Sequence, residues 1–389
     1  MPWKETAPVF ERVRFIDDYL SGLYTISELA SMYEVSRKTL YKWLARHDES
    51  GVRGLEDRSR APLRPVAIAD DVRSEVLRLR RRFPFMGPRK IVARLSELHP
   101  NIAWPAASTV GDLLKREGLV GARRRHRPPV YPLRARPKPT ERNDVMTIDF
   151  KGQFLLGDHF YCYPLTIVDG FSRYILACQA LNSTEYRPAR RVFERVFRTY
   201  GLPRSILSDN GSPFGSPGLG RLSKLSVWWI RLGISVQRIV PGHPEQNGAH
   251  ERMHRTLKEQ TTRPPAKTLA AQQRRFNTFC RDFNEERPHE ALGQRRPCSI
   301  YMPSPRPYPE ILPLPEYPGH FETRRVDDAG QIKWKDHPVF FSHTLSHETV
   351  GFEEIDDGVW SVYFGPVLLA RFDARSKRFS VESASPPAP

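Results

Sequence analysis

Apolar residues recur at helical spacing through the first third of the chain and at strand spacing through the last. Val9, Val13, Ile16 and Leu20 form one helical stripe, ended by Ser21-Gly22. Leu29, Ala30 and Met32 form a second, and Leu40, Trp43 and Leu44 a third, running from Arg37 to His47. Residues 70–120 repeat the theme with Val72, Val76 and Leu79, then Ile91, Val92 and Leu95 behind Gly87-Pro88, then Val110, Leu113 and Leu114 between Pro105 and Glu117. Proline suits a first helical turn, where its missing N–H would have no partner. The period then changes. Val145-Met146-Thr147-Ile148-Asp149-Phe150 and Ser205-Ile206-Leu207-Ser208 predict strands, with a helix between them that turns Val192, Phe193 and Val196 inward. Its other face carries Arg187, Arg190, Arg191, Arg195 and Arg198, read as a solvated face or a contact with a polyanion backbone. Trp228-Trp229, with Leu225 and Leu232, predict a helix packed on a sheet. Short alternating runs at 332–335, 339–341, 350–354, 359–364 and 367–372, separated by Gly, Asp or Pro, predict a small antiparallel β domain.

Two proline-dense stretches divide this pattern. Five prolines fall between Pro128 and Pro139, next to the run Arg123-Arg124-Arg125-His126-Arg127, and seven lie between Pro303 and Pro318. Such stretches stay extended and read as linkers. The expected organisation is two helical modules (1–60 and 65–122), a basic linker (123–140), a middle domain (141–302), a second linker (303–320), a β domain (321–380) and a disordered tail (381–389).

Composition sharpens the picture. The 389 residues hold 61 Lys+Arg against 44 Asp+Glu, a formal charge of +17. Residues 1–140 contribute 28 against 16, residues 141–300 contribute 24 against 15, and the remainder 9 against 13. The first two regions therefore face a polyanion, most simply nucleic acid, while the acidic last region suits assembly at least as well as nucleic-acid contact. No apolar run approaches the ~20 residues of a membrane span, and Met1–Glu5 opens no apolar leader, so a cytoplasmic protein is expected. Cys162, Cys178, Cys280 and Cys298 form no C-x-x-C pair, which disfavours a zinc module or a disulfide framework.

Local chemistry places the first reading head. Thr25-Ile26-Ser27-Glu28 is a capping box, in which hydroxyl and carboxylate satisfy each other's orphan amides. A turn around Val35 follows, and Ser36 caps a helix from which Arg37, Lys38, Thr39 and Lys42 project. This resembles the helix-turn-helix, whose second helix enters the major groove. Glu34 stands where that motif usually has a left-handed Gly, a cost of about 1 kcal/mol. The module at 65–122 is similar in plan, with Arg89, Lys90, Ser108 and Thr109 as candidate DNA contacts, joined by Arg123, Arg124 and Arg125 of the linker and by Arg80, Arg81 and Arg82.

Three acidic positions carry the chemistry. Asp149 sits in an apolar strand, where an uncompensated carboxylate is expensive and a metal ion is a natural partner. Asp209 ends a short strand before an Asn-Gly turn. Glu251 opens a helix on which 251, 254, 255 and 258 share one face, setting a carboxylate beside His254, Arg255 and Lys258. Asp169, before Gly170, reads as a turn former rather than a ligand. His243 and Gln246 lie in a loop that could touch a target strand, and His289 reads as bracing the core.

The strand Thr147-Ile148-Asp149-Phe150, the turn Ser208-Asp209-Asn210-Gly211, the helix opening Gln246-Asn247-Gly248…Glu251-Arg252 and the stretch from Phe283 to Leu292 resemble the DDE transposases of bacterial insertion sequences. Those enzymes have an RNase H-like core related to retroviral integrases. The resemblance spans about residues 141–300. The usual spacing in that family would select Glu245, but Glu245 precedes the helix, and Gly215–Gly220 reads as an insertion that lengthens the gap. Glu251 is therefore the third acid.

The resemblance implies helix-turn-helix modules, an α/β RNase H-like core with a mixed sheet, and a small C-terminal SH3-like β-barrel. It implies that Asp149, Asp209 and Glu251 hold two Mg²⁺ ions, with Mn²⁺ as a substitute, and that His254, Arg255 and Lys258 meet DNA. The partners it implies are transposon-end repeats and target DNA, a homo-oligomer assembled on DNA, and an accessory ATPase in some members. The implied activity is cleavage of DNA 3′ ends and their transfer to target DNA. The alternatives are an RNase H-type nuclease without strand transfer, and a DNA-binding regulator with an inactive core.

Overall fold

The computed structural model describes residues 8–58, 68–120, 139–240 and 243–380; side chains at 244 and 245 are not among those described. The chain forms two compact units, 1–69 and 70–389. Arg123, Arg124 and Arg125 and the tail from 381 lie outside the described residues. Among those described, no helix is long and apolar enough to cross a membrane.

The first unit holds α1 (Pro8–Leu20), α2 (Ile26–Met32) and α3 (Arg37–Ser50), closed by a 3-10 turn at Gly51–Leu55. Phe15, Ile16, Leu29, Leu40, Trp43 and Leu55 make its core. The capping box forms as its residues dictate: Thr25 N–H donates to Glu28 Oε2 at 2.7 Å and Glu28 N–H to Thr25 Oγ1 at 3.3 Å. Each such cap contributes about 1 kcal/mol. Ser36 Oγ accepts from Thr39 N–H at 3.2 Å to start α3. Glu34 adopts φ +52°, the left-handed turn expected of a glycine there. Two details differ from the pattern reading. Leu20 is exposed although the stripe turns it inward, and Phe15, outside the stripe, is buried.

In the second unit, α4 (Asp70–Arg82), α5 (Pro88–Leu98) and α6 (Ala107–Arg116) form the second helical module. It is fastened to the region that follows rather than hung from it. Arg94 is buried on α5 and pairs with Glu286 at 2.7 Å and with Glu97 at 3.0 Å, while Arg296 reaches back to Glu97.

The central domain runs β1 (Val145–Phe150), β2 (Phe154–Leu155), β3 (Tyr161–Asp169), β4 (Ile175–Leu181), α7 (Tyr186–Tyr200), β5 (Ser205–Ser208), α8 (Lys224–Arg231), β6 (Ser235–Arg238), α9 (Gly248–Thr261) and α10 (Leu269–Arg281). Its sheet is mixed, in the order β2-β3-β1-β5-β6 with β4 paired to β3. β1 is antiparallel to β3 and parallel to β5, and β5 is parallel to β6. Helices cover both faces. Ala189, Val192, Phe193, Val196 and Phe197 of α7 pack with Trp228 and Trp229 of α8 on one side. Met253, Leu257, Phe276 and Phe279 of α9 and α10 pack on the other. Side-chain amides cover the open edge of β4: Gln273 accepts from Ala180 N–H at 2.7 Å, and Asn284 exchanges bonds of 2.8 and 3.0 Å with Ile175. An edge strand so covered offers no backbone to a foreign strand.

The last region contains β7 (Glu322–Arg325), β8 (Gln331–Trp334), β9 (His337–Phe340), β10 (Thr349–Asp356), β11 (Val359–Phe364), β12 (Val367–Asp373) and β13 (Arg378–Ser380). The expected barrel is not a hydrogen-bonded ring. The described strands make a five-stranded antiparallel sheet, β13-β12-β11-β10-β7, and a separate β8-β9 hairpin. Trp334, Phe352 and Phe372 fill the space between them and carry the closure that backbone pairing does not. The sheet also shares its core with the central domain through Leu222, Val227 and Ile230. The stretch from Pro303 to Pro318, expected as a linker, is laid down as a strap. Arg306 donates to the carbonyls of Pro203, Leu232 and Gly233 at 2.7, 3.1 and 2.9 Å, and the Tyr317 hydroxyl donates to Thr349 O at 2.8 Å.

Candidate active site

Strand register brings the first two acids together. β1 and β5 run in parallel with Thr147 opposite Leu207. Continuing both chains by two residues places Asp149 and Asp209 at the same carboxyl end with the same side-chain parity. Each is anchored by its neighbours. Phe150 stacks on the buried Phe214 ring at 5.5 Å. Asp209 Oδ1 accepts from Gly211 N–H at 3.2 Å, and Asn210 Nδ2 donates to Ile239 O at 2.9 Å. Glu251 enters from the first turn of α9 and is exposed.

Electrostatics couple the three. Burial, the negative charge of Asp209 and, more weakly, that of Glu251 push the Asp149 carboxyl up to about 7, against a partial opposing pull from Lys151. Burial also raises Asp209, with the Gly211 N–H working the other way. Carboxylates that resist ionisation beside one another define a place where a cation is favourable. They are held apart: among the described residues, no three His, Cys, Asp or Glu side chains converge tightly enough to enclose a metal ion. The donor set is nonetheless carboxylate oxygen, the kind a hard divalent cation takes.

Arg255 and Lys258 are exposed on α9, on the face that carries Glu251. His254, grouped with them from sequence, is not. It is buried with 4% exposure, its Nδ1 is 3.4 Å from Asp149 Oδ2, and its Nε2 is 2.7 Å from Thr166 Oγ1. The correction follows from helix geometry, since position 254 borders the sheet-facing stripe of Met253 and Leu257 rather than the outer one. Burial holds the His250 and His254 imidazoles neutral, lowered to about 3 and about 2. His250, Thr166 and Thr147 were missed by sequence reasoning. The only signal for the first was its i, i+4 spacing from His254.

The other candidates are scattered. Arg37, Lys38 and Lys42 are exposed on α3, with Lys42 Nζ 4.9 Å from the Trp43 ring centroid. Thr39 is half-buried and its hydroxyl bonds Ser36 Oγ at 2.9 Å. Ser108 is exposed on α6 and Thr109 half-buried. Arg89 is exposed but reaches Glu290 at 3.4 Å. Lys90, expected to meet DNA, is half-buried where α5 meets the central domain; burial and the nearby Arg287 lower its ammonium to about 8. Arg80, expected to meet phosphates, is turned inward onto the carbonyls of Met86 and Leu119, each at 2.6 Å. Asp169 is fully buried and accepts from Asn143 N–H, Ser172 N–H and Ser172 Oγ–H at 2.8, 2.8 and 2.5 Å, a structural knot at a turn. His289 is half-buried against Phe283, ring centroids 4.6 Å apart, and burial lowers it to about 3.

Two models of the integrase core domain match residues 139–244 and 232–297. A helix-turn-helix domain matches residues 11–62, and a homeodomain-like domain residues 39–114. The chain is 36% identical over 104 residues to the Pol polyprotein of feline endogenous virus ECE1, covering 26% of this chain and 9% of that one. It is 29% identical over 188 residues to the insertion element IS407 uncharacterized 31.7 kDa protein of Burkholderia multivorans, covering 48% of this chain and 65% of that one. The chain thus spans under two thirds of the length of the curated relatives it matches. Among solved structures, it is similar to the HTLV-2 integrase catalytic core domain in complex with magnesium (TM-score 0.32, 16% identity, 42% of this chain and 98% of that one). It is also similar to a chain of the simian T-cell lymphotropic virus intasome in complex with PP2A regulatory subunit B56 gamma (TM-score 0.38, 15% identity, 79% and 98%).

Proposed function

We propose that the chain is an insertion-sequence transposase with an integrase catalytic core, which cleaves the 3′ ends of a mobile DNA element and joins them to target DNA. The observation that carries the reading is the placement of Asp149 and Asp209 at the carboxyl ends of two adjacent parallel strands, with Glu251 in the first turn of α9. Asp149, Asp209 and Glu251 would hold two Mg²⁺ ions, with Mn²⁺ able to replace them. Those ions would activate a water or a 3′-hydroxyl and stabilise the departing 3′ oxygen.

The chain's own residues do the rest. Burial and the charge of Asp209 make Asp149 costly to ionise alone, so a cation that compensates its charge is favoured there. Arg255 and Lys258, exposed beside Glu251, grip the phosphates flanking the scissile bond. Arg37, Lys38 and Lys42 on α3 read the element's terminal repeats, with the second module and the basic stretch at 123–125 adding backbone contacts. Paired ends imply a homo-oligomer on DNA, in a bacterial cytoplasm.

The test incubates the full chain with Mg²⁺ and duplexes carrying candidate terminal repeats. Metal-dependent cleavage and joining is expected, lost in Asp149→Asn and in Glu251→Gln while DNA binding persists, and retained in Glu245→Gln. Cleavage without joining would point to a nuclease of RNase H type. Binding without cleavage would point to a regulator with an inactive core.

A further inference from the structure

Helix α9 is tied to the sheet through one buried hydroxyl. Thr166 on β3 is fully buried, and its Oγ1 lies 2.9 Å from the Asp149 carbonyl, 2.7 Å from His250 Nε2 and 2.7 Å from His254 Nε2. A hydroxyl has one proton and two lone pairs. The carbonyl can only accept, so the proton goes there and both imidazoles donate their Nε2–H to Thr166. That assignment leaves Nδ1 of each ring unprotonated. His250 Nδ1 accepts from the Thr147 hydroxyl at 2.9 Å, a shorter contact than the 3.3 Å from that hydroxyl to Val168 O. His254 Nδ1 is left facing Asp149 Oδ2 at 3.4 Å. The rings stand perpendicular, centroids 4.6 Å apart. Asp149 is thus held by its carbonyl through Thr166, while its carboxyl abuts the edge of the His254 ring.

Adhesion of α9 to the sheet does not need this network. Met253 and Leu257 on the same helix already supply an apolar contact, and burying two imidazoles and two hydroxyls costs desolvation that leucine or valine would avoid. A buried polar network of this kind specifies one arrangement rather than adding adhesion.

We propose that Thr166, His254 and His250 are positioning residues, which fix the Asp149 carboxyl and the seating of α9 so that Glu251, one turn before His254, faces the space Asp149 faces. The inference rests on the reading of Asp149 and Glu251 as metal-holding groups, and adds three residues that touch neither ion nor DNA.

The experiment measures Mn²⁺ binding to the full chain without DNA, by the electron paramagnetic resonance signal of the free ion, with thermal unfolding in chelator alongside. Thr166→Val keeps the shape and removes the hydroxyl. It is expected to weaken Mn²⁺ binding about 10–100-fold, the usual loss when a partner of a metal-holding side chain is removed. Thr166→Ser should restore binding to within about threefold of wild type on the same basis. A folded Thr166→Val protein with wild-type Mn²⁺ affinity overturns the proposal. If Thr166→Val does not fold, His254→Gln decides. It keeps a donor for Thr166 and loses the ring beside Asp149, so weakened binding supports the role and unchanged binding overturns it. Asp149→Asn is the control. Unchanged binding there would sink the metal-holding reading itself, whereas loss there with no loss in Thr166→Val or His254→Gln sinks only the positioning role.

Discussion

Replacing Asp149 by Asn in metal-free protein should stabilise the fold at neutral pH and above. The group's proton affinity rises from the ordinary 3.8 to about 7, chiefly through burial and then through Asp209. A proton held more tightly in the folded than in the unfolded chain stabilises the fold fully below 3.8. That contribution falls away between 3.8 and 7 and is gone above 7. The shift corresponds to about 4 kcal/mol at most. The carboxyl is 26% exposed, so solvent screening leaves an expected gain of about 1–3 kcal/mol. Asn carries no charge, and its side-chain N–H can donate to the unprotonated Nδ1 of His254, which lies 3.4 Å from Asp149 Oδ2. Thermal unfolding of both proteins in chelator at pH 4.5, 6 and 8 measures the difference. Asp149→Asn should gain little at pH 4.5 and roughly 2–8 °C at pH 8, with most of the rise between the first two pH values and neutrality. Added Mn²⁺ should reverse the order, raising only the wild type. A gain that does not change with pH, or an Asn variant less stable than wild type at pH 8, would refute the account of Asp149 as a carboxyl crowded by its neighbours.

Two further outcomes test other parts of the molecule. Arg94→Leu leaves Glu286 without its buried partner and should lower stability by about 2–4 kcal/mol; an unchanged unfolding midpoint would show that the seam between α5 and the central domain does not depend on this pair. Arg37→Ala and Lys42→Ala should each weaken binding to duplexes carrying the terminal repeats more than to unrelated duplexes, and flatten the dependence of log affinity on log salt by up to about one charge. Fluorescence anisotropy at several salt concentrations reads this, and an unaltered slope would remove α3 from the DNA face.

The order of elements was legible because periodicity and caps are local. The capping box at Thr25, proline at the start of α5 and the alternation after residue 330 each fixed an element without reference to distant chain. Asp149 and Asp209 were legible as charges placed where strands should be apolar. What escaped depends on packing across elements. His254 was assigned outward because its helix face lies at the border between solvent and sheet, and only the sheet's position decides such a residue. Thr166 gave no signal, since a threonine in a strand is ordinary until two imidazoles from another element arrive at its hydroxyl. The prolines from 303 to 318 showed an extended chain, which linkers and straps share. The carbonyls that receive Arg306 lie some seventy to a hundred residues back in sequence.

The shared core of α8 and the C-terminal sheet bears on how such a chain can be inherited. Along the sequence, the β region after the proline stretch resembles a separable piece, of the kind recombination trades between genes. In space, Leu222, Val227 and Ile230 belong to its interior. Gly220, at φ +60°, lies so close beneath it that an added Cβ would stand 2.6 Å from Leu369. A foreign β region could be accepted only with a matching α8 and a matching loop after Asp209. The unit that evolves together therefore runs from the second acid to the last strand, and crossovers at the proline stretch should be rare among surviving descendants.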